Sequence, residues 1–435
     1  MQTIISANST IVNLLRAEQP QNLEIYKPSK FNYYVKSKRG FVVYNTLCNS
    51  LHKFTFLEYE KILGKRKCGL ALKKKLVKEG IIVDPKFDEL NSFLSWAEKN
   101  RKLEKSFGSF NITTTMKCYA RCEYCYEQSS EKFDYDVNKI QSLINFIKRK
   151  SINSKKVAIT WFGGEPLLNM TLIDLVSNQL KNDGIDFTSY IITNGSLLSP
   201  QVINDKFPLW NVKDVQITLD GLADTYLSRK QYIDSKENVF EKILDYILLM
   251  GQSSVNVHIR LNIDHNNMDE MLELIKLLDS KFGDITNVSW YPAFITGIGD
   301  KFTEREKSIY LKRMFSCLKD PSKMNISNRL YKLPKSSPCM RNDPCSYTID
   351  TDENIFICEH LVGQPGKCIG NLNNFSKEVN EKRTRLEFRN ECKKCVFLPK
   401  CMGGCYVNLE TNDSPCMIEK YMIKGYLSFL AEKFW

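Results

Sequence analysis

Three cysteines, Cys118, Cys122 and Cys125, stand in the run Lys117-Cys-Tyr-Ala-Arg-Cys-Glu-Tyr-Cys-Tyr126. The C-x3-C-x2-C spacing brings three thiolates to one face of a short loop, and it constrains this chain more than any other feature. A cubane iron-sulfur cluster is normally held by four cysteines, so a compact set of three leaves one iron open to a ligand that is not protein. Zinc is the alternative for close thiols, although it usually takes a fourth near ligand. The next cysteine is Cys317 and the nearest downstream histidine is His258. The spacing alone leaves both metals open.

The chain has 435 residues, 43% of them apolar, enough for two or three domains and an ample core. No apolar run reaches the roughly 18 residues of a membrane span, and Met1-Gln-Thr-Ile-Ile-Ser-Ala-Asn-Ser lacks the basic-then-apolar pattern of a signal peptide. A cytoplasmic protein is expected. Fifteen cysteines without an export signal point to metal ligation rather than disulfides.

From residue 108 onward, short β-branched runs alternate with amphipathic helical stretches, the pattern of βα units around a parallel sheet. The expected strands are Phe110 to Thr115, Val157 to Phe162, Phe187 to Thr193, Val215 to Leu219, Val255 to Asn262 and Val288 to Pro292. Gly163-Gly164-Glu165-Pro166 follows the second strand, where two glycines allow backbone to approach a ligand and a carboxylate can accept from an ammonium. Thr193-Asn194-Gly195, Thr218-Leu219-Asp220-Gly221 and Arg260-Leu261-Asn262-Ile263-Asp264 follow in order. Singly, Asn194-Gly195 and Asp220-Gly221 read equally well as turns.

Taken together these segments resemble radical S-adenosylmethionine (radical SAM) enzymes, including the aromatic Tyr124 before the third cysteine. The resemblance implies an incomplete (β/α)6 barrel, a 4Fe-4S cluster on Cys118, Cys122 and Cys125, and reductive cleavage of S-adenosylmethionine to a 5'-deoxyadenosyl radical that abstracts hydrogen. It gives Gly163, Gly164, Glu165 and Pro166 as the cofactor-binding GGEP motif, with Glu165 on the methionine amino group. Asn194, Thr218 and Arg229 would line the cofactor carboxylate and ribose, and Tyr124 and Asn262 complete the cofactor set. Thr218 stands where the family commonly has serine, which keeps the hydroxyl.

Cys339, Cys345, Cys358, Cys392, Cys395, Cys401, Cys405 and Cys416 form a second constellation, enough for two sets of four. Cys392-x2-Cys395-x5-Cys401-x3-Cys405 followed by Cys416 resembles the SPASM domain of radical SAM peptide maturases; paired zinc ribbons are the competing account. By that resemblance Cys339, Cys345, Cys358 and Cys405 would hold one auxiliary 4Fe-4S cluster and Cys392, Cys395, Cys401 and Cys416 another. The crossed ligand sets would let metal supply much of the folding energy. Cys345 and Cys358 flank a strand-turn-strand element in which Glu353 replaces the family's glycine; the neighbouring Asn354 tolerates a left-handed turn, so the turn is expected to survive. Glu359 matches an acidic position proposed as proton acceptor in sulfatase-maturing relatives and is the candidate catalytic base. The formal charge of +12 counts cysteines as neutral; three clusters on eleven thiolates would lower it by roughly five. Charge alone is therefore weak evidence for nucleic acid.

Before the barrel, Asn32 to Val35 and Phe41 to Asn45 read as strands around a Lys-Arg-Gly turn, Phe56 to Leu63 and Leu70 to Lys78 as helices, and Ile81 to Val83 as a short strand. The order resembles the winged-helix peptide-recognition modules in which a leader peptide adds as a strand to a sheet edge. Lys65-Arg66-Lys67 and Lys73-Lys74-Lys75 would favour an acidic leader or simply form solvated faces. Pro85 to Asn100 reads as a linking helix N-capped by Asp84.

The expected organisation is thus a winged-helix-like module over 1–105, a radical SAM partial barrel over 106–310 and a SPASM domain over 311–435. The expected function is a radical SAM oxidoreductase that installs a thioether or carbon-carbon crosslink in a ribosomally made precursor peptide. Its partners would be that peptide and an electron donor such as flavodoxin or ferredoxin, with no nucleic acid and no membrane. Two alternatives are a sulfatase-maturating formylglycine-forming enzyme and a noncatalytic iron-sulfur leader-binding or redox-sensing protein.

Overall fold

Hydrophobic alternation in the first hundred positions builds a small antiparallel sheet. The computed structural model describes residues 1–7, 25–103, 107–127, 133–151, 156–233, 238–295, 301–331, 334–336, 339–364, 366–384, 386–410 and 416–433. Its first strands are β1 (Gln2–Ile5), β2 (Lys27–Pro28), β3 (Asn32–Lys36), β4 (Gly40–Asn45), β5 (Ser50–Thr55) and β6 (Ile82–Val83). The sheet order is β1-β5-β4-β3, and β2 pairs with β6. Thr55 opens α1 (Phe56–Ile62) through a capping box with Glu58, and α2 (Leu70–Lys78) follows. Val43 and Phe54 pack on Ile62 and Leu76 of these helices. Val42, Tyr44 and Leu51 point the other way into the main core. The sheet is therefore buried on both faces.

The linking helix α3 (Glu89–Leu103) starts later than the sequence suggests. Asp84 closes a tight turn, accepting from Lys86 N at 2.7 Å, while Asp88 accepts from Leu90 N and Asn91 N at 3.1 Å. The cap is Asp88 because its carboxylate, not that of Asp84, reaches the first free helical N–H groups. The expected boundary at 105 and 106 lies outside the described residues.

The central sheet begins with β7 (Phe107–Thr115), β8 (Lys156–Gly163), β9 (Phe187–Thr193), β10 (Val212–Leu219), β11 (Asn256–Ile263) and β12 (Val288–Phe294), all parallel and in sequential order. Between them lie α4 (Ile140–Ser151), α5 (Met170–Asn182), α6 (Ala223–Lys230), α7 (Val239–Gly251) and α8 (Met268–Phe282). Pleating sorts the side chains. On β11, Val257, Ile259 and Leu261 are fully buried while His258 and Arg260 are half-exposed on the opposite face. Each buried branched side chain contributes about 1.5–3 kcal/mol relative to exposure. Parallel sheets are usually covered with apolar side chains on both faces, so a polar second face leaves room for a ligand.

Beyond β7 the sheet continues. β13 (Ser346–Ile349) pairs parallel with β7 in the register Ser346↔Ser109 to Ile349↔Ile112, and β14 (Asn354–Phe356) and β15 (Gly370–Asn371) follow antiparallel. The result is one mostly parallel nine-stranded sheet. The turn between β13 and β14 is kept, and Glu353 itself takes the left-handed conformation, with φ of 68°. A non-glycine residue there costs about 1–2 kcal/mol. The Glu353 carboxylate offsets that by accepting from Tyr135 Oη at 3.1 Å and from Ser142 Oγ.

The α9 (Glu304–Ser316) and α10 (Ile418–Lys433) helices pack together where Gly425 leaves no room for a side chain; a Cβ there would lie 2.9 Å from Leu311 Cβ. The same end of the chain meets the amino-terminal sheet. Tyr33 packs on Phe397 with ring centroids 4.9 Å apart, Tyr44 Oη donates to the Leu330 carbonyl at 2.8 Å, and Lys400 Nζ donates to Asn49. Among the described residues no helix is long and apolar enough to cross a membrane.

Candidate active site

The loop carrying Cys118, Cys122 and Cys125 leaves the end of β7 and is fastened from α6. Arg121 N donates to the Lys230 carbonyl at 2.8 Å, and Ile233 N donates to the Tyr119 carbonyl at 2.9 Å. Cys125 N donates to the Cys122 carbonyl at 3.0 Å, closing a turn between the second and third cysteines. Cys118 Sγ accepts from Ala120 N at 3.4 Å and from Asn194 Nδ2 at 3.7 Å. Burial pushes the Cys118 thiol up to about 11, with Glu165, Cys122 and Cys125 adding to the rise. Metal binding at this loop must therefore expel protons.

The glycines of the Gly163-Gly164-Glu165-Pro166 segment lie close against protein backbone. A Cβ on Gly163 would lie 2.1 Å from the Thr115 carbonyl oxygen, and one on Gly164 would lie 2.3 Å from that of Lys117. Gly164 N and Glu165 N donate to those same carbonyls, each at 2.9 Å. The glycines thus let β8 run flush against the root of the cysteine loop. Glu165 is fully buried. Its carboxylate accepts from Thr193 Oγ1 at 2.7 Å, Asn194 N at 2.8 Å and Leu167 N at 3.2 Å. Pro166 follows at the first position of a short helical turn, where its missing N–H is harmless.

Asn194 is the junction. Its backbone binds Glu165, its amide reaches Cys118, its Oδ1 accepts from Ser196 N, and its carbonyl accepts from Tyr226 Oη. Thr218 lies on β10 beside Arg260 of β11. Arg229 Nη2 donates to Asp264 Oδ2 at 2.6 Å, and its guanidinium lies 5.6 Å from the Tyr124 ring centroid. Its buried Nε has no partner among the described residues. Asn262 accepts from Arg260 Nε at 3.0 Å and is buried.

Sequence reasoning missed Lys230. It forms a buried ion pair with Asp220 at 3.0 Å, and Tyr124 Oη joins both, donating to Asp220 Oδ2 at 2.6 Å and accepting from Lys230 Nζ at 2.9 Å. Burial alone would lower the Lys230 ammonium, but Asp220 outweighs it and holds the group above its ordinary value. A lysine in the last turn of a helix reads as a solvated dipole partner, so no local signal marks it. On the polar face, Tyr190 Oη and Tyr291 Oη both donate to Gln216 Oε1. Burial raises both phenols, Arg260 opposes the rise, and Glu359 adds to it. Glu359, in the turn after Cys358, thus acts on that face electrostatically, and its neighbour His360 packs on Tyr126 with centroids 4.2 Å apart.

The carboxyl-terminal cysteines gather from separate segments. Burial raises the Cys339 and Cys358 thiols, and Cys405 adds to both. Cys345 is tied to β7 by its carbonyl, which accepts from Ser109 N at 2.9 Å. Cys401 is pushed up to about 11 by burial, with Cys416 adding; Cys395 N donates to the Cys392 carbonyl at 3.0 Å. Lys420 Nζ donates to Cys416 Sγ at 3.3 Å, and Arg389 Nη2 to Cys392 Sγ at 3.4 Å. Among the described residues no three cysteine, histidine or carboxylate side chains stand at single-ion spacing.

Residues 112–278 match the family model described as the radical SAM superfamily. That stretch carries a radical SAM domain. The family implies one 4Fe-4S cluster and S-adenosylmethionine, and the three thiols, with N–H donors aimed at Cys118, are a donor set of the kind such a cluster takes. Curated relatives of the radical SAM domain include GTP 3',8-cyclase of Clostridium perfringens, 29% identical over 210 residues that make up 46% of this chain and 60% of the cyclase. Another is the radical SAM cyclopropyl synthase TigE of Paramaledivibacter caminithermalis, 28% identical over 41% of this chain and 39% of TigE. The match thus spans well under two thirds of either relative. Two solved structures share the fold: native anSMEcpe with bound AdoMet and Cp18Cys peptide (TM-score 0.58, 18% identity, 75% of this chain and 97% of that one), and Streptococcus suis SuiB bound to precursor peptide SuiA (TM-score 0.50, 15% identity, 90% and 98%).

Proposed function

We propose that this radical SAM enzyme modifies a ribosomally made precursor peptide, installing a thioether or carbon-carbon crosslink after hydrogen abstraction. One observation carries the catalytic half of the reading: Asn194 joins the cysteine loop to the Gly-Gly-Glu-Pro segment, touching Cys118 with its amide and Glu165 with its backbone. When bound to Cys118, Cys122 and Cys125, a 4Fe-4S cluster supplies the electron that cleaves S-adenosylmethionine. Glu165 would accept from the methionine ammonium while Asn194, Thr218 and Arg229 face its carboxylate and ribose, with Tyr124 and Asn262 beside them. The Lys230–Asp220 pair keeps Tyr124 fixed. Glu359, within electrostatic range of the tyrosine-lined face, would take the proton released as the substrate radical is oxidised, with the further clusters proposed on the carboxyl-terminal cysteines as the electron acceptor.

The peptide half rests on three supports: the polar face that the helices leave uncovered, the amino-terminal sheet, and a fold shared with proteins solved with peptides bound. Cys339, Cys345, Cys358 and Cys405 would hold one further cluster and Cys392, Cys395, Cys401 and Cys416 another, the arrangement of a SPASM domain; a flavodoxin or ferredoxin would deliver electrons. Anaerobic incubation of reconstituted protein with reductant and S-adenosylmethionine tests the first half. Formation of 5'-deoxyadenosine supports it, and none overturns it. Coexpression with a short peptide encoded beside the gene tests the second. A loss of about two hydrogens with two residues found joined on fragmentation indicates a crosslink, whereas conversion of a cysteine or serine to an aldehyde-bearing formylglycine would favour the sulfatase-maturating alternative.

A further inference from the structure

Arg260 stands on the polar face of the central sheet with no anion of the protein beside it. It is half-exposed on β11, in register with Thr218 of β10 on one side and Tyr291 of β12 on the other. Its Nε donates to Asn262 Oδ1 at 3.0 Å, which fixes the plane of the guanidinium. Among the described residues Nη1 and Nη2 have no partner, and neither is sealed inside the protein. The carboxylates of the neighbouring strands are taken elsewhere: Asp214 pairs with His258 at 3.1 Å and Asp264 with Arg229 at 2.6 Å. Glu359 acts on the same tyrosines as Arg260 yet forms no ion pair with it among the described residues.

The position of this charge is informative. Its field reaches Tyr126 beside the last cysteine of the loop, Tyr190 and Tyr291 of the sheet, and His360 in the turn after Cys358. Arg260 thus lies where the cysteine loop, the barrel face and the carboxyl-terminal region converge. The walls offer ring surface rather than a counter-charge, since Tyr190 Oη and Tyr291 Oη both donate to Gln216. A partly desolvated guanidinium between aromatic walls calls for an anion, and its two remaining donor edges match a carboxylate in a bidentate fork. A phosphate fits less well, because its second negative charge would face Glu359 with a single cation to offset it. We infer that Arg260 forms a carboxylate subsite of the substrate chamber, which takes the side chain of an acidic residue or the free carboxyl end of the peptide beside the residue that loses hydrogen. The inference rests on the peptide-modifying reading and adds what must stand next to the reacting residue.

Four small probes test it on reconstituted full-length protein with S-adenosylmethionine added, by anaerobic ligand-observed NMR. N-acetylaspartate amide and N-acetylglutamate amide carry side-chain carboxylates, N-acetylalanine carries a terminal one, and N-acetylasparagine amide is the neutral match. At least one carboxylate probe should bind about tenfold tighter than the asparagine probe, and which one does so tells side chain from chain end. In Arg260→Gln the preference should vanish, and Arg260→Lys, which keeps the charge without the fork, should restore only part of it. Affinity for S-adenosylmethionine, followed through the electron paramagnetic resonance of the reduced cluster, should be unchanged in both variants. Equal binding of all four probes overturns the inference, as does a carboxylate preference that survives in Arg260→Gln. A loss of S-adenosylmethionine affinity in Arg260→Gln would give the guanidinium to the cofactor and likewise overturns it. Should that variant not fold, phenylglyoxal decides on the unaltered protein: slower adduct formation at Arg260 with the carboxylate probe present supports the subsite, and an equal rate overturns it. Carboxylate binding at Arg260 in a protein that crosslinks no peptide would sink the peptide reading and leave this subsite standing.

Discussion

The two cysteine regions reach their geometry by opposite routes. The loop with Cys118, Cys122 and Cys125 draws all its sulfurs from one turn, and protein groups hold it from three sides: Asn194, the Gly164–Glu165 backbone and the Lys230 carbonyl. The carboxyl-terminal cysteines come from segments spread between Cys339 and Cys416, with local backbone turns and charged donors as their visible supports. A local site can be shaped by protein before metal arrives. A dispersed one, if it holds the proposed clusters, would depend on the metal as its crosslink.

The largest expected effect breaks that comparison if it fails. Replacing Cys118, Cys122 and Cys125 together by alanine should abolish 5'-deoxyadenosine while leaving about two-thirds of the iron, measured by quantitation after reconstitution. Loss of all iron would make the two regions one cooperative unit. Next, Lys230→Met should destabilise the radical SAM domain by about 3–5 kcal/mol in chemical unfolding, because it strands the buried Asp220 charge. Adding Asp220→Leu should restore much of that. A small single-mutant effect would mean that the loop is held by its backbone contacts alone.

Cys405→Ser sharpens the contrast at lower amplitude. It should lower the thermal midpoint of the carboxyl-terminal region by several degrees in calorimetry, whereas Cys122→Ser should leave that transition in place. Glu353→Gly should change stability by no more than about 1 kcal/mol, since it relieves the left-handed backbone but loses the bonds from Tyr135 and Ser142. The smallest effect lies in the amino-terminal module. Burial holds His52 below its ordinary value of 6.5, so the unfolded chain binds more protons and stability falls as pH drops through 6.5 towards the depressed value. In His52→Gln that slope should flatten, as followed by melts between about pH 7 and pH 5.

What could be read from the sequence was local. Strand positions followed from β-branched runs, and the cysteine loop, Glu165 and Asn194 stand in short motifs with fixed spacing. The pairing of β13 with β7 joins residues more than two hundred positions apart, and nothing in Ser346 to Ile349 specifies its neighbour. The Lys230–Asp220–Tyr124 cluster escaped for the same reason: each residue looks ordinary until the fold removes water from all three. The two glycines were noticed, but their approach to the Thr115 and Lys117 carbonyls was not foreseen, because a sequence shows that a Cβ is missing without showing what protein backbone fills the space. The survival of the β13–β14 turn was legible, but not that Glu353 itself takes the left-handed backbone, which its side-chain bonds rather than its intrinsic preference support.

The parallel seam between β7 and β13 also bears on how the molecule is made. Until Ser346 to Ile349 leave the ribosome, the strand that leads into the cysteine loop has a bare rim of N–H and C=O groups on that side, the kind of surface on which nascent chains stick to one another. Translation must run through most of the polypeptide before that rim is covered. Chaperone demand and aggregation during overexpression should therefore rise sharply in truncations that stop short of residue 346.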